Sequence, residues 1–155
     1  MSWTAPTPSN VLEEFTPAER AQLANIQGGA DNLTPILARV VAEFRQAIAD
    51  AGRETDADTT TMPDGFHGQA IALARWRWLI SIPQAKAMQT PERKAAAEKA
   101  ETLIEDIATG KRPVAPPDSS SGTGGIASPS FGTRGGSRET DPRDREFTRD
   151  TQEGS

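Results

Sequence analysis

Few side chains in this 155-residue sequence combine the types and spacing that chemistry needs. Asp56 and Asp58 occupy the first and third positions of an EF-hand-like loop, where alternate carboxylates would converge on a hard cation. The register then fails. The fifth position is Thr60, the sixth is Thr61 where glycine is required, and the twelfth is His67 in place of a bidentate glutamate. The segment therefore reads as a solvated loop. His67, in Asp64-Gly65-Phe66-His67-Gly68, is the single histidine and so the one imidazole available as a base near neutral pH. No Gly-x-Ser-x-Gly elbow or other nucleophile motif accompanies it, and it reads as a loop cap or a contact residue. With no cysteine, disulfides, zinc thiolates and thiol nucleophiles are excluded. The glycine-rich stretches at Gly28-Gly29, Gly122 to Gly125 and Gly135-Gly136 lack the Gly-Lys-Ser/Thr ending of a phosphate loop. The expectation is no catalysis, no cofactor and no metal.

A second constellation is Arg75-Trp76-Arg77-Trp78, cations interleaved with indoles as on a stacking platform for single-stranded nucleic acid. On a helix, positions i and i+2 point about 200° apart, so the two indoles cannot share one flat surface. A net charge of −5 also supplies no basic field to attract phosphates. The expected arrangement is one tryptophan in the core, the other at an interface, and the arginines paired with acidic residues.

The elements that position these residues are helical. Three helix starts repeat one signal, Thr16-Pro17, Thr34-Pro35 and Thr90-Pro91, with threonine as N-cap and proline at the first helical position. Glu19 completes a capping box with Thr16. The spacing predicts a short turn over Asn10 to Phe15 and a helix from Pro17 to Gln27, stopped by Gly28-Gly29. A second long helix carries Ile36, Leu37, Val40, Val41, Phe44, Ala47, Ile48 and Ala51 on one face and ends at Gly52. A polar loop, Arg53 to Gly65, leads to a third helix from Phe66 to Ile82. That helix is apolar nearly all round, as expected of a central element or one buried between subunits. A fourth runs from Thr90 to Gly110 with the stripe Ala96, Ala97, Ala100, Leu103, Ile104 and Ile107.

Hydrophobic residues make up only 35% of the chain, and the shortfall lies at one end. Residues 117–155 hold 7 Ser, 7 Gly, 5 Thr and 3 Pro, with Ile126, Phe131 and Phe147 the only large apolar side chains. Such a segment cannot offset its ordering entropy alone. Its distal part, with Arg134, Arg138, Arg143, Arg145 and Arg149 alternating with acids around Phe147, suits a stretch that orders on a partner. The expected organisation is an N-terminal arm (1–9), an all-α bundle of about four helices (10–116) and a long extended tail (117–155). No apolar run is long enough to span a membrane. The opening Met1-Ser2-Trp3-Thr4-Ala5-Pro6 lacks the basic and apolar regions of a signal peptide, which sets a bacterial cytoplasm as the expected compartment.

One stretch resembles a known family. Ala70-Ile71-Ala72-Leu73-Ala74-Arg75-Trp76, then Thr90-Pro91-Glu92-Arg93, then Ala100 to Ile107 and the close Ala108-Thr109-Gly110-Lys111 are similar to the Mu-like head–tail connector (adaptor, or head-completion) proteins of tailed phages. Thr7-Pro8-Ser9-Asn10-Val11-Leu12 and Thr16-Pro17-Ala18-Glu19 resemble the openings of that family, and the likeness spans residues 7–116. It departs between Asp50 and Pro63, where the family carries a tyrosine-containing segment and this chain has no tyrosine, and in the tail. The resemblance implies a non-enzymatic virion protein of the phage neck, assembled in the host cytoplasm. Copies would form a ring, typically of twelve, below the portal protein. A tail-side neck or stopper protein would attach beneath, and DNA would pass through the lumen without sequence-specific binding. On this reading Arg75, Trp76, Arg77 and Trp78 belong to the subunit interface. Phe131, Arg134, Arg138, Arg143, Arg145, Phe147 and Arg149 belong to a tail that docks on the portal. The alternative is a helical DNA-binding packaging subunit resembling a small terminase, which would need a basic recognition helix.

Overall fold

The computed structural model describes residues 2–26 and 32–118, all within the unit Met1–Ser121. The described elements run in the order β1 (Trp3–Thr4), α1 (Pro8–Glu13), α2 (Pro17–Ala24), α3 (Leu33–Asp50), β2 (Met62–Pro63), α4 (His67–Ser81) and α5 (Pro91–Ala108). Short 3-10 turns over Asp64–Phe66 and Pro83–Met88 lead into and out of α4. The architecture is a small all-α bundle, as the hydrophobic periodicity predicts, with five α-helices among the described residues.

The Thr-Pro signal explains most of the helix starts. Thr16 and Glu19 close the expected capping box, the Thr16 N–H donating to Glu19 Oε2 at 2.9 Å and the Glu19 N–H to Thr16 Oγ1 at 3.3 Å. Thr90 caps α5 through the Arg93 N–H. A further copy, Thr7-Pro8, starts α1 with Asn10 as the reciprocal partner, so this helix begins two residues earlier than the periodicity predicts. Thr34-Pro35 behaves differently. Helix α3 starts at Leu33 with Asn32 as N-cap and no side-chain cap bond. Leu33 is 2% exposed, and burying it draws two more residues, Leu33 and Thr34, into the helix. Pro35 then falls at the third helical position, where the missing N–H has no intrahelical acceptor to lose. Helix α2 stops at Ala24, three residues short of expectation. The proposed Gly28-Gly29 stop lies outside the described residues.

The long helices close through glycine. Gly52 takes φ +68 after α3, and the Arg53 N–H returns to the Ile48 carbonyl at 3.1 Å. Gly110 takes φ +75 after α5, where the Arg112 N–H reaches the Asp106 carbonyl at 3.0 Å.

Helix α4 is the hub, packing against α3, α5 and α1, which accounts for its nearly all-round apolar sequence. Phe44 and Ile48 of α3, Leu73, Trp78 and Leu79 of α4, and Ile107 of α5 are fully buried in one cluster. Phe44 stacks on Phe66 with ring centroids 6.3 Å apart, and Phe15 meets Trp78 edge-on at 5.7 Å.

The described residues of the N-terminal arm (1–9) pack into the fold, and the last of them begin α1. β1 pairs antiparallel with β2 in the register Trp3↔Pro63 and Thr4↔Met62, and the Asp64 N–H adds a bond to the Ser2 carbonyl at 3.1 Å. Trp3 is 8% exposed and belongs to the core. Burial of an indole holds a ladder too short to leave any alternating pattern. At the other end Val114 and Pro117 are buried, so the chain still packs on the bundle after α5. No described helix is long and apolar enough to cross a membrane.

Candidate functional site

The Arg75–Trp78 segment lies near the middle of α4, and its four side chains diverge as a 3.6-residue helix requires. Trp78 is 1% exposed and lies edge-on against Phe15. It has no surface to give a neighbouring subunit, which removes it from the proposed interface set. Trp76 is half-buried against the rim of the core.

Both arginines are engaged within the chain. Arg77 Nη1 contacts both oxygens of Glu43 on α3, at 2.6 and 2.8 Å, and Nη2 lies 3.6 Å from Glu101 on α5. One guanidinium thus ties together the three main helices. The Glu43 bonds raise Arg77 above the usual arginine value, against an opposing effect of burial. Arg75 reaches the Glu14 carboxylate and the Glu14 carbonyl, both at 3.3 Å, and lies 6.0 Å over the Phe15 ring. Burial, and then the neighbouring Arg93, lower its guanidinium below the usual value. Its Nε is buried without a hydrogen-bond partner.

Arg93 completes this corner. It sits 5.1 Å over Phe15, bonds Glu19 Oε1 at 2.8 Å and the Met88 carbonyl at 2.7 Å. Phe15 thereby carries two guanidiniums and meets Trp78 edge-on. Burial, the largest single influence on Glu19, pushes its carboxyl up. The Thr16 N–H and hydroxyl together with Arg93 outweigh it and hold the carboxyl below the usual glutamate range. Sequence reading places Glu19 in a cap but misses Arg93, because a partner 74 residues away leaves no local signal.

The acidic loop is folded on its own donors. Asp58 Oδ1 accepts the Thr60 N–H at 2.9 Å and the Thr60 hydroxyl at 2.7 Å, and these bonds hold it below the usual aspartate range. The Thr61 hydroxyl donates to Asp56 Oδ2 at 3.0 Å. From beneath, Arg45 donates to the carbonyls of Asp56 and Thr61, at 2.6 and 2.8 Å, and lies 5.7 Å over the Trp3 ring. No grouping of His and acidic side chains suited to a metal occurs among the described residues. Arg45 reads in sequence as one more polar-face residue of α3. In the fold it joins that loop to the N-terminal strand.

His67, at the start of α4, places Nε2 3.1 Å from the Thr4 carbonyl, 3.4 Å from Thr4 Oγ1 and 3.7 Å from Asp64 Oδ1. Hydroxyl, imidazole and carboxylate are the parts of a nucleophilic triad, but they are wired in another order. The Thr4 hydroxyl donates to Asp64 Oδ1, and the imidazole nitrogen nearest Thr4 faces a carbonyl oxygen, which can only accept. Nε2 is therefore a donor with no lone pair to activate Thr4, and the cluster ties β1 to the start of α4.

Two surface features escape the sequence reading. One is an apolar groove of about 380 Å³ lined chiefly by Pro6, Pro8, Leu37, Ala38, Val41 and Ala42, with Thr59 and Thr60 at its rim. The other is Ile80, near the C-terminal end of α4 and 54% exposed, the one large hydrophobic side chain so exposed among the described residues. The proposed tail contacts, Phe131, Arg134, Arg138, Arg143, Arg145, Phe147 and Arg149, lie outside the described residues. In comparisons with protein-family models, curated proteins and solved structures, no match to this chain was found.

Proposed function

We propose that this chain is a structural subunit of a phage neck, a head–tail connector protein that assembles below the portal and joins capsid to tail. The resemblance over residues 7–116 carries this reading, above all Ala70 to Trp76 followed by Thr90 to Arg93 and the Ala108 to Lys111 close. The segments that bear the resemblance coincide with α4 and α5, which pack closely on each other. A small helical bundle with an exposed isoleucine and an apolar groove has surfaces to offer neighbours. A net charge of −5 suits a channel through which DNA moves without adhering.

The DNA-binding alternative draws no support from the side chains it needs. Arg75 and Arg77 already contact carboxylates within the chain, and a phosphate would have to compete with Glu14, Glu43 and Glu101 for them. Imaging of purified particles at the neck tests the connector reading. A helical layer of this chain beneath the portal is the expected result, and particles whose neck lacks the chain would overturn it.

A further inference from the structure

We infer that the groove between the N-terminal segment and α3 is the socket for a second copy of this chain, whose Ile80 enters it head to tail. The inference adds the contact surfaces to the connector reading and rests on that reading for the purpose of the contact.

The groove is built to take an apolar side chain. Pro6, Pro8, Leu37, Ala38, Val41 and Ala42 supply its walls, and its polar lining is limited to threonines. It lacks the convergent charged and polar groups that orient a small ligand. Ala38 and Ala42 are exposed along the side of α3, so the small residues leave the groove open where larger ones would fill it.

The matching knob lies elsewhere on the same molecule. Ile80 is 54% exposed next to the fully buried Leu79, and the half-buried Trp76 is one turn earlier on its side of α4. Groove and knob lie on different helices, α3 and α4. At about 100° per residue, the α3 groove positions centre roughly opposite Glu43, the residue that joins α3 to Arg77 of α4. Ile80 remains exposed and takes no part in the groove lining, so one copy does not fill its own groove. A contact between different patches of identical chains repeats from copy to copy, closing into a ring or running on as a filament.

Charge favours the same pairing. Asp58 is exposed beside Thr59 and Thr60 at the groove rim and is kept ionised by its bonds from Thr60. Lys86 is exposed in the 3-10 turn that follows Ile80. Arg45, the cation of α3 nearest this rim, is tied to the carbonyls of Asp56 and Thr61, and the two carboxylates of Asp56 and Asp58 outnumber it there. A lysine arriving with Ile80 thus meets an acidic rim.

The test uses the full chain, the variants Ile80→Glu and Ala42→Glu, and an equimolar mixture of the two, followed by light scattering across concentration. Circular dichroism checks that the variants keep wild-type helicity, and Ile80→Ser and Ala38→Glu repeat the pair with a milder and a neighbouring change. The wild type is expected to self-associate, and each variant alone to bind at least about tenfold more weakly, since each places a charge in an apolar contact. The mixture holds one intact socket and one intact knob, so it should recover a dimer and nothing larger. Raised salt should weaken the wild-type contact by screening Asp58 and Lys86. A wild type that stays monomeric to about 1 mM overturns the inference. So does assembly that survives both variants, or a mixture that forms no dimer while the wild type assembles. Those last two outcomes leave the neck assignment standing, whereas particles without the chain remove that assignment and leave the contact intact.

Discussion

The corner around Phe15 and the groove along α3 use their side chains in opposite ways. At Phe15, helices α2, α4 and α5 and the end of α1 bring in Glu19, Arg75, Arg93 and Glu14, and each charge is answered inside the chain. Along α3, alanines, prolines and threonines leave an apolar concavity with no charged residue in its lining. The first region looks more like a binding site in sequence, because Arg-Trp-Arg-Trp is conspicuous. The second is nearly silent in sequence yet has room for a partner. Conspicuous chemistry in a helix can be internal scaffolding, while a surface for others can be made of small residues that carry no motif.

The comparison breaks first at Trp78. This side chain is fully buried between α4 and Phe15, and Trp78→Ala removes a large apolar volume from a place that cannot collapse freely. The expected cost is about 3–5 kcal/mol, read as a lowered midpoint in urea unfolding. A loss below about 1 kcal/mol would show that Trp78 is not part of a packed core, and its exclusion from the subunit interface would fail with it.

The Arg93–Glu19 pair gives the next largest effect. Arg93→Met keeps the apolar stem over Phe15 but removes the bonds to Glu19 and Met88, at an expected cost of about 1.5–3 kcal/mol. The acid response separates charge from packing. Glu19 titrates lower when folded than when unfolded, so its contribution is complete above the unfolded value and is lost as pH falls through the folded one. Wild-type stability should fall across that acidic window, and Glu19→Gln should flatten part of the decline while lowering stability at neutral pH. An unchanged acid slope in Glu19→Gln would mean that the ion pair contributes nothing.

Legibility in the sequence followed the range of the interactions. Helix starts depend on contacts three residues apart, so Thr16-Pro17-Ala18-Glu19 and Thr90-Pro91 announce themselves. The Thr-Pro start that failed, at Thr34-Pro35, was overridden by burial of Leu33, a tertiary effect. The amphipathic face of α3 and the central place of α4 follow from periodicity. The β1–β2 pairing joins Thr4 to Met62 across two-residue strands, and nothing local marks it. The arginine clamps follow the same rule. That Arg75 and Arg77 seek acids can be guessed from charge, but Glu14, Glu43 and Glu101 as their partners depend on how the helices cross. The groove is hardest of all, because its walls come from residues 5–8, 34–42 and 59–60, and each stretch alone reads as ordinary coil or helix.

The smallest effect sharpens the comparison most, because it sets two adjacent residues against each other. Leu79 and Ile80 are similar in size and hydrophobicity, but Leu79 is fully buried while Ile80 is 54% exposed. Leu79→Ala should cost about 2–5 kcal/mol, since it opens a cavity among α4's neighbours. Ile80→Ala should change the stability of the dilute protein by no more than about 0.5 kcal/mol, as truncations of exposed residues do. Urea unfolding of both variants, at concentrations well below assembly, reads the difference directly. If Ile80→Ala proved as costly as Leu79→Ala, Ile80 would be a core residue of the single chain with nothing left to place in a neighbour's groove. A near-neutral Ile80→Ala leaves that side chain available, and an exposed isoleucine that stabilises nothing in its own chain has most to gain from burial against another.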